Sequence, residues 1–349
     1  MLSLCLPNYN HARFLPGALD AILSQSRLPD EMIIMDDAST DNSVEILQDY
    51  AARYPFIKLV LSEKNQGAAA TLTHLLGMAR GRYFYAPAAD DRIRPCFIEE
   101  SMKILERFPA AGLCSTLSAV MDEQGSDEGI LSDSPFGAQD AHYIPVLSVR
   151  NELWRHGSWV HGNTVVFRRD ALIAAGGYRT ELAGYADGFV HEVIALTHGA
   201  CLVPRPLACW RRMAGTLSDR ASLNIDKARQ VRDAAQNSMT SEYREIFSAV
   251  YVHRWRRRWN AGILLGFSRA KVAEWRVGIF EFSSGSGWVV QTFGHVSLFM
   301  VGVGYAAVAA VAAALRWFDL GWILAKKVRA GGKQPLPTDD SHRALSAIQ

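Results

Sequence analysis

Polar and apolar residues follow a repeating order along the first hundred positions. Leu2 to Leu6 is a short, largely apolar run closed by Pro7-Asn8-Tyr9-Asn10, the mark of a buried strand that ends in a loop. Phe14, Leu15, Ala18, Leu19, Ile22 and Leu23 then recur at helical spacing. The next apolar run, Met32 to Met35, stops abruptly at Asp36-Asp37, and Asp41 and Asn42 open a helix carrying Val44, Ile46 and Leu47. Ile57 to Leu61 predicts a third strand, Ala68 to Ala79 another helix and Tyr83 to Ala86 a fourth strand. Strands alternating with helices of these lengths predict an α/β fold, a mostly parallel sheet flanked by helices on both faces.

Beyond Pro95 a helix through Ile98, Met102 and Leu105 leads to the apolar run Leu113 to Val120, then to an acidic loop rich in Ser and Gly over residues 122–141. Residues 146–211 read as a second half of the same domain. They hold a helix to Trp154, a strand at Thr164 to Phe167, a Gly176-Gly177 turn, a helix after Asp187 and an edge strand at Leu207 to Trp210. The chain therefore divides into a domain over 1–215, with halves 1–95 and 96–215, Arg/Trp-rich amphipathic helices over 216–281, a hydrophobic segment over 282–330 and a polar tail over 331–349.

Charge narrows the classes. With 37 basic and 35 acidic side chains the net charge is only +2, which argues against a nucleic-acid binder. The five cysteines are widely spaced and form no CxxC pair, so neither a zinc site nor a disulfide framework is expected and a reducing cytoplasm fits. The N-terminus offers no secretory signal, so the first half is expected to stay where it is made. Residues 282–315 contain no Asp, Glu, Lys or Arg. As a helix such a stretch would extend about 51 Å, against about 30 Å for a hydrocarbon core. Arg254, Trp255, Arg256, Arg257, Arg258 and Trp259 precede it, and Arg316, Trp317, Lys326, Lys327 and Arg329 follow it. Both flanks then belong on the cytoplasmic side by the positive-inside rule, which predicts a re-entrant or interfacial hairpin at the cytoplasmic face of the cell membrane, with a single crossing or a buried core helix as the alternatives. A cut after Ser241 is expected to release a soluble domain.

In sheets of this kind ligands sit outside the carboxyl ends of the strands. Those ends are polar here: Asn8, Tyr9 and Asn10; Asp36 and Asp37; Asn65 and Gly67; Asp90 and Asp91. No Walker loop occurs. Gly302-Val303-Gly304-Tyr305-Ala306-Ala307 has the spacing of a dinucleotide fingerprint, but too little chain follows it to complete that unit, and small residues at helical spacing pack membrane helices. Carboxylates repel phosphate unless a divalent cation lies between them. Asp90 and Asp91 could therefore offer one carboxylate to Mg²⁺ or Mn²⁺ and the other to a ribose hydroxyl, the metal bridging a diphosphate. Asp37 could accept the N–H of a pyrimidine ring with Tyr9 beside it. Alternatively, these acids cap the helices that follow them.

Taken in order, Pro7-Asn8-Tyr9-Asn10, Leu23-Ser24-Gln25-Ser26, Ile33-Ile34-Met35-Asp36-Asp37-Ala38-Ser39-Thr40-Asp41, Asn65-Gln66-Gly67, Ala79-Arg80-Gly81-Arg82-Tyr83 and Ala89-Asp90-Asp91 resemble the motifs of family 2 glycosyltransferases with the GT-A fold, a Rossmann-like nucleotide-diphospho-sugar transferase fold. The resemblance covers about the first 215 residues. It implies an inverting, usually metal-dependent transfer of a sugar from a nucleoside diphosphate to a glycan or lipid-linked acceptor. It further implies that Pro7, Tyr9 and Asp37 hold the base with Asn65 and Gly67 in the same pocket, and that Asp90 and Asp91 hold ribose and metal. Asn163 to Arg169 and Gly176-Gly177-Tyr178 resemble the family's acceptor side, Tyr185-Ala186-Asp187-Gly188-Phe189 stands where the catalytic base belongs, and Pro204 to Arg211 resembles the closing edge strand. The family's usual first acid is Ala88 here, its frequent helix Asn is Thr73, and Met213 follows Arg211-Arg212 where many members carry His. Chemistry independently requires a base across the pocket from the metal, because the acceptor hydroxyl must lose its proton as it attacks. Asp187 is that candidate, an N-cap of the following helix being its other reading, while His191 and Glu192 are expected to be helix-face residues. Two rival functions are a sugar-phosphate nucleotidyltransferase, which should show a glycine in Asn8 to Ala12, and a noncatalytic sugar-nucleotide-binding scaffold.

Overall fold

The computed structural model describes residues 1–131, 137, 139–155, 157–213 and 224–260. Its first quarter is built as the hydrophobic pattern predicts. β1 (Leu2–Asn8), β2 (Glu31–Asp36), β3 (Ile57–Leu61) and β4 (Tyr83–Tyr85) are parallel neighbours in the order β3-β2-β1-β4. They are joined by α1 (Leu15–Leu23), α2 (Ser43–Arg53) and α3 (Ala68–Met78). Period-two alternation splits each strand between two cores: Cys5, Ile33 and Met35 enter one, while Leu2, Leu4, Leu6, Met32 and Ile34 enter the other. Both faces are thus buried, and ligands are left only the edges of the layer. Pro7 is tolerated inside β1 because β4 pairs only with Leu2 to Leu4, which leaves Pro7 a strand partner on one side alone.

The chain continues through β5 (Arg92–Ile93), α4 (Phe97–Arg107), β6 (Leu113–Met121), β7 (Asp127–Ile130), β8 (His142–Ile144), α5 (Val146–Arg155), β9 (Val165–Arg168), α6 (Arg169–Ala174), α7 (Ala186–His198), β10 (Ala200–Arg211), α8 (Ile225–Thr240) and a helix over residues 249–260, α9. Here the expectation of a mostly parallel sheet is corrected to a mixed one. β9 lies between β4 and β6 and runs antiparallel to both, and β5, β7 and β8 are antiparallel additions. The cause is the connection after α5, which returns the chain to the edge where β4 leaves the sheet, so the next strand runs the other way. The carboxyl ends of β1, β2, β4, β6 and β10 and the amino end of β9 therefore share one edge.

Two further expectations change. β10 is not an edge strand: it spans 12 residues, runs parallel to β6 along its length, and carries β5 and β8 on its other side. Its register slips between Val203 and Pro206, where Pro204 and Pro206 remove donors from the ladder and a bulge absorbs the loss. The acidic loop after β6 contains β7, which folds back on β6 through a turn closed by the Ser126 amide on the Asp122 carboxylate at 2.8 Å. Asp127 and Glu128 hide this strand from hydrophobic patterning because it is largely exposed.

Nor does the core end at residue 215. Ala235, Met239, Tyr243, Phe247, Tyr251, Val252 and Trp255 are buried in the cluster that holds α7. Trp255, in the stretch expected to form Arg/Trp-rich amphipathic helices, is 7% exposed and faces protein. Among the described residues no helix is long and apolar enough to cross a membrane. Residues 261–281, the hydrophobic segment 282–330 with Gly302 to Ala307, and the tail 331–349 lie outside the described residues.

Candidate active site

Asp36 and Asp37 end β2 and serve different purposes. Asp36 is 1% exposed and takes three hydrogen bonds, from Asn8 Nδ2 at 2.7 Å and from the Ser39 amide and hydroxyl at 2.8 and 2.7 Å, tying the loop after β1 to the loop after β2. Asp37 reaches one loop further: its carboxylate accepts the amides of Gln66, at 3.0 and 3.1 Å, and Gly67, at 2.8 Å. Neither caps α2, whose N-cap is Asn42. Asp37 therefore fixes the segment before α3, and Gly67 takes φ 86° at that helix's N-cap, a conformation that only glycine adopts without strain. Asn10 and Ala38 also hold left-handed backbones, φ 56° and 62°, as the loops bend back over the sheet edge. Tyr9, 43% exposed, and Asn65, exposed, stand open on this rim, with Pro7 half-buried beneath. The expected nucleotide-side residues thus share one rim, and Asp37 is its buried anchor.

Asp90 and Asp91 follow β4 in a turn closed by the Asp91 amide on the Ala88 carbonyl. The structure separates them. Asp90 is half-buried, whereas Asp91 is 6% exposed and its Oδ1 accepts the Arg211 amide at 2.8 Å. Burial first, and then the neighbouring Asp90, push the Asp91 carboxyl up to about 8, against the amide and the charge of Arg211, which pull it down. Asn163 lines one small cavity with Asp91, Tyr85 and Ala88, and its Nδ2 is buried without a hydrogen-bond partner. Arg211 ties this turn to the loop after β6: Nε donates to the Asp90 carbonyl at 2.7 Å, Nη1 to the carbonyls of Asp122 and Glu123, and the guanidinium lies 4.8 Å over the Phe14 ring.

A divalent cation fits this donor set. Two adjacent carboxylates stand here with an orphaned amide, the buried one raised by burial and by its acidic neighbour, and Mg²⁺ characteristically takes one or two carboxylates together with substrate phosphates. Among the described residues no cluster of three or more His, Cys, Asp or Glu offers a fuller cage.

Asp187 lies in the first turn of α7, against the turn that precedes β9. α7 starts two residues earlier than the sequence predicts, with Tyr185 as N-cap, so Asp187 occupies the second helical position rather than the cap. A Cβ on Gly162 would stand 2.6 Å from Asp187 Oδ2, so the glycine is what admits the carboxylate to this place. Gly162 touches Asp187 while the next residue, Asn163, sits beside Asp91, and Tyr85 Oη anchors this backbone through the Asn163 carbonyl at 3.0 Å. Thr73, where the resembling family often has Asn, donates to the Tyr178 carbonyl at 3.1 Å and ties α3 to the Gly176-Gly177-Tyr178 turn.

His191 and Glu192 are not on an exposed helix face. His191 is 2% exposed, stacked 5.4 Å from Phe167, with Nδ1 unpartnered, and burial lowers it to about 4. Glu192 is 5% exposed, accepts Tyr185 Oη at 3.2 Å and Tyr251 Oη at 3.0 Å, and is pushed up to about 7 by burial. Sequence reasoning placed Asn163 only within the acceptor-side stretch Asn163 to Arg169, and gave no functional part to Gly162 or Glu192. Only the register of Asn163 just before a strand hinted at the first, and nothing local marks the other two.

The model of "Glycosyl transferase family 2" matches residues 3–172. EpsE of Bacillus subtilis (strain 168) is 32% identical over 180 residues, 51% of this chain and 60% of that protein. Rv1520 of Mycobacterium tuberculosis (strain ATCC 25618 / H37Rv) is 28% identical over 263 residues, 72% of this chain and 70% of that one. In structure, S. aureus TarS 1-349 in complex with UDP-GlcNAc aligns over 94% of this chain and 88% of its own with a TM-score of 0.58 at 16% identity, a likeness of fold.

Proposed function

The chain carries a glycosyl transferase family 2 domain over residues 3–172, and from that premise we propose that it transfers a sugar from a nucleoside-diphosphate sugar, a UDP-sugar foremost, to a hydroxyl of a glycan or lipid-linked acceptor with inversion at the anomeric carbon. The observation that carries the reading is the placement of two acidic groups on either flank of Gly162-Asn163, with Asp187 against Gly162 and Asp91 beside Asn163. Inversion needs such an arrangement: a base on one face of the sugar and a leaving diphosphate on the other.

Each residue then has a task. Tyr9, Pro7 and the loop fixed by Asp37 receive the base and ribose, with Asn65 and Gly67 on the same rim. Asp90, with Asp91 ionised beside it, would hold Mg²⁺ or Mn²⁺, whose charge offsets that of the departing diphosphate. Asp187 takes the proton from the acceptor hydroxyl. Arg211 holds the turn of Asp90 and Asp91 through backbone contacts, so it shapes the site without spending its charge on the donor. The biological setting we infer is assembly of a cell-surface polysaccharide or glycolipid at the cytoplasmic face of the membrane, attached through residues beyond Asn260.

Release of UDP from UDP-sugars in the presence of Mn²⁺ tests the reading. EDTA should abolish turnover, and Asp90→Asn should lower it about a hundredfold or more. Asp187→Asn should cut transfer comparably while UDP still binds as in the unsubstituted chain, because a general base acts mainly in the transition state. Full activity in EDTA, or of the Asp187→Asn variant, would remove the respective assignment.

A further inference from the structure

Asp187 sits in the first turn of α7, so whatever orients that turn orients the carboxylate. The preceding segment is poorly suited to hold itself: Ala183 lies at φ 45°, ψ −124°, a conformation that costs a residue with a side chain, and Ala183 and Gly184 are exposed. The fixing contacts come from nearly 70 residues further along. Trp255 Nε1 donates to Tyr185 Oη at 2.9 Å, Tyr185 Oη donates to Glu192 Oε1 at 3.2 Å, and Tyr251 Oη donates to Glu192 Oε2 at 3.0 Å. One buried carboxylate thus joins both ends of the first two turns of α7 to α9. Rings reinforce the joint, with Trp259 meeting Tyr185 edge-on at 4.6 Å and Trp255 at 5.9 Å.

The same helix also grips the other side of Asp187. Arg258 donates to the carbonyls of Leu153, Trp154 and Arg155 at 2.8, 2.7 and 2.7 Å, closing the C-terminus of α5. From that end the chain runs to Gly162, the residue against the Asp187 carboxylate. α9 therefore anchors the origin of both segments that converge on this acid.

We propose that Glu192, Tyr251 and Trp255 are positioning residues for Asp187, so that α9 holds the acceptor-side acid in its working orientation and links the site to the chain beyond Asn260. The inference rests on Asp187 being the base. A carboxylate buried merely for stability has no reason to spend both oxygens on the N-cap residue of one helix and a tyrosine of another, since an apolar side chain would fill the space at lower desolvation cost.

The test uses the full chain carrying Trp255→Phe, Tyr251→Phe, Glu192→Leu or Glu192→Gln. Hydrogen exchange of the amides over 184–190 should quicken at least tenfold in Trp255→Phe and Glu192→Leu and return near the unsubstituted rate in Glu192→Gln, while amides of β1 and β2 stay protected. In parallel, kcat for transfer should fall roughly ten- to hundredfold with the donor KM unchanged, the scale of misplacing a catalytic group by about an ångström. Unaltered exchange and kcat in every variant would overturn the proposal. So would an equal loss of sheet protection and UDP binding, which would reduce the contacts to ordinary core stability. If the unsubstituted chain transfers no sugar, the reading of function fails separately, and the exchange at 184–190 still decides whether α9 sets the first turn of α7.

Discussion

Glu192 and His191 are neighbours on α7 with opposite responses to pH. Burial raises the Glu192 carboxyl from 4.5 to about 7, eased by the Tyr251 and Tyr185 hydroxyls, and lowers His191 from 6.5 to about 4. A carboxyl raised in the folded state keeps its proton there more tightly than in the unfolded chain, so its contribution to stability is lost as pH climbs from about 4.5 through 7. A histidine lowered in the folded state acts the other way, and its contribution is lost as pH falls from about 6.5 towards 4. Glu192→Gln removes the first effect and keeps the second. The variant should therefore gain on the unsubstituted protein between about pH 5 and pH 8, by up to about 3 kcal/mol, in urea unfolding followed at several pH values. A constant difference across that range would mean that Glu192 titrates as it does in the unfolded chain. At this scale the sequence told half the story. Asp37, Asp90 and Asp187 were legible because each follows or opens an element whose pattern is plain. Glu192 was read as a helix-face residue because its partner Tyr251, and the Trp255 that holds Tyr185 beside it, lie some 60 residues or more away and no periodicity links them.

Among the elements, the short 3-10 turn Gly162–Thr164 bears most directly on chemistry. An alanine at 162 would place a methyl carbon 2.6 Å from Asp187 Oδ2, and the atom it meets is the free end of a side chain, able to swing aside at little cost. Gly162→Ala is thus expected to leave thermal stability within about 0.5 kcal/mol while lowering kcat for transfer at least tenfold. UDP affinity should hold, because the nucleotide rim contains neither residue. Unchanged transfer would show that the acid does not need its present place. The same scale shows why some elements were legible and others were not. α1 to α4 carry apolar residues at helical spacing, and β1 to β4 are apolar runs between turn residues, so their bounds follow from pattern. β7 is polar and exposed, and β10 seemed an edge strand because its prolines at 204 and 206 break the apolar run that marks an interior strand, a break the fold accommodates as a bulge. Neither the antiparallel course of β9 nor the return of β10 to the middle of the sheet has a local signature, since both depend on which end of the layer a connection reaches.

For the whole molecule, the site of truncation expected from sequence moves. A cut after Ser241 would remove Tyr243, Phe247, Tyr251 and Trp255, all buried against α7, and expose the apolar face they cover. Losing one such aromatic side chain costs about 3–5 kcal/mol, so a chain ending at 241 should be insoluble or partly unfolded. One ending at 260 should remain soluble, bind UDP and hydrolyse donor while losing transfer to a lipid-linked acceptor. Size-exclusion chromatography and UDP release on the two proteins check this, and a well-behaved, active 1–241 chain would refute it. Composition alone suggested the earlier boundary, because the Arg and Trp content of 216–281 reads as an interfacial helix until Trp255 and Trp259 are seen packed against Tyr185. The place of β9 in the sheet order has a last consequence, for synthesis. β4 emerges from the ribosome as an open edge with backbone donors and acceptors unpaired, and its partner, Val165–Arg168, follows some 80 residues later. Until then the first four strands offer an adhesive border of the kind that templates misassembly. The first four strands therefore form long before the strand that closes them, and moved to another protein on their own they are expected to aggregate through the β4 edge.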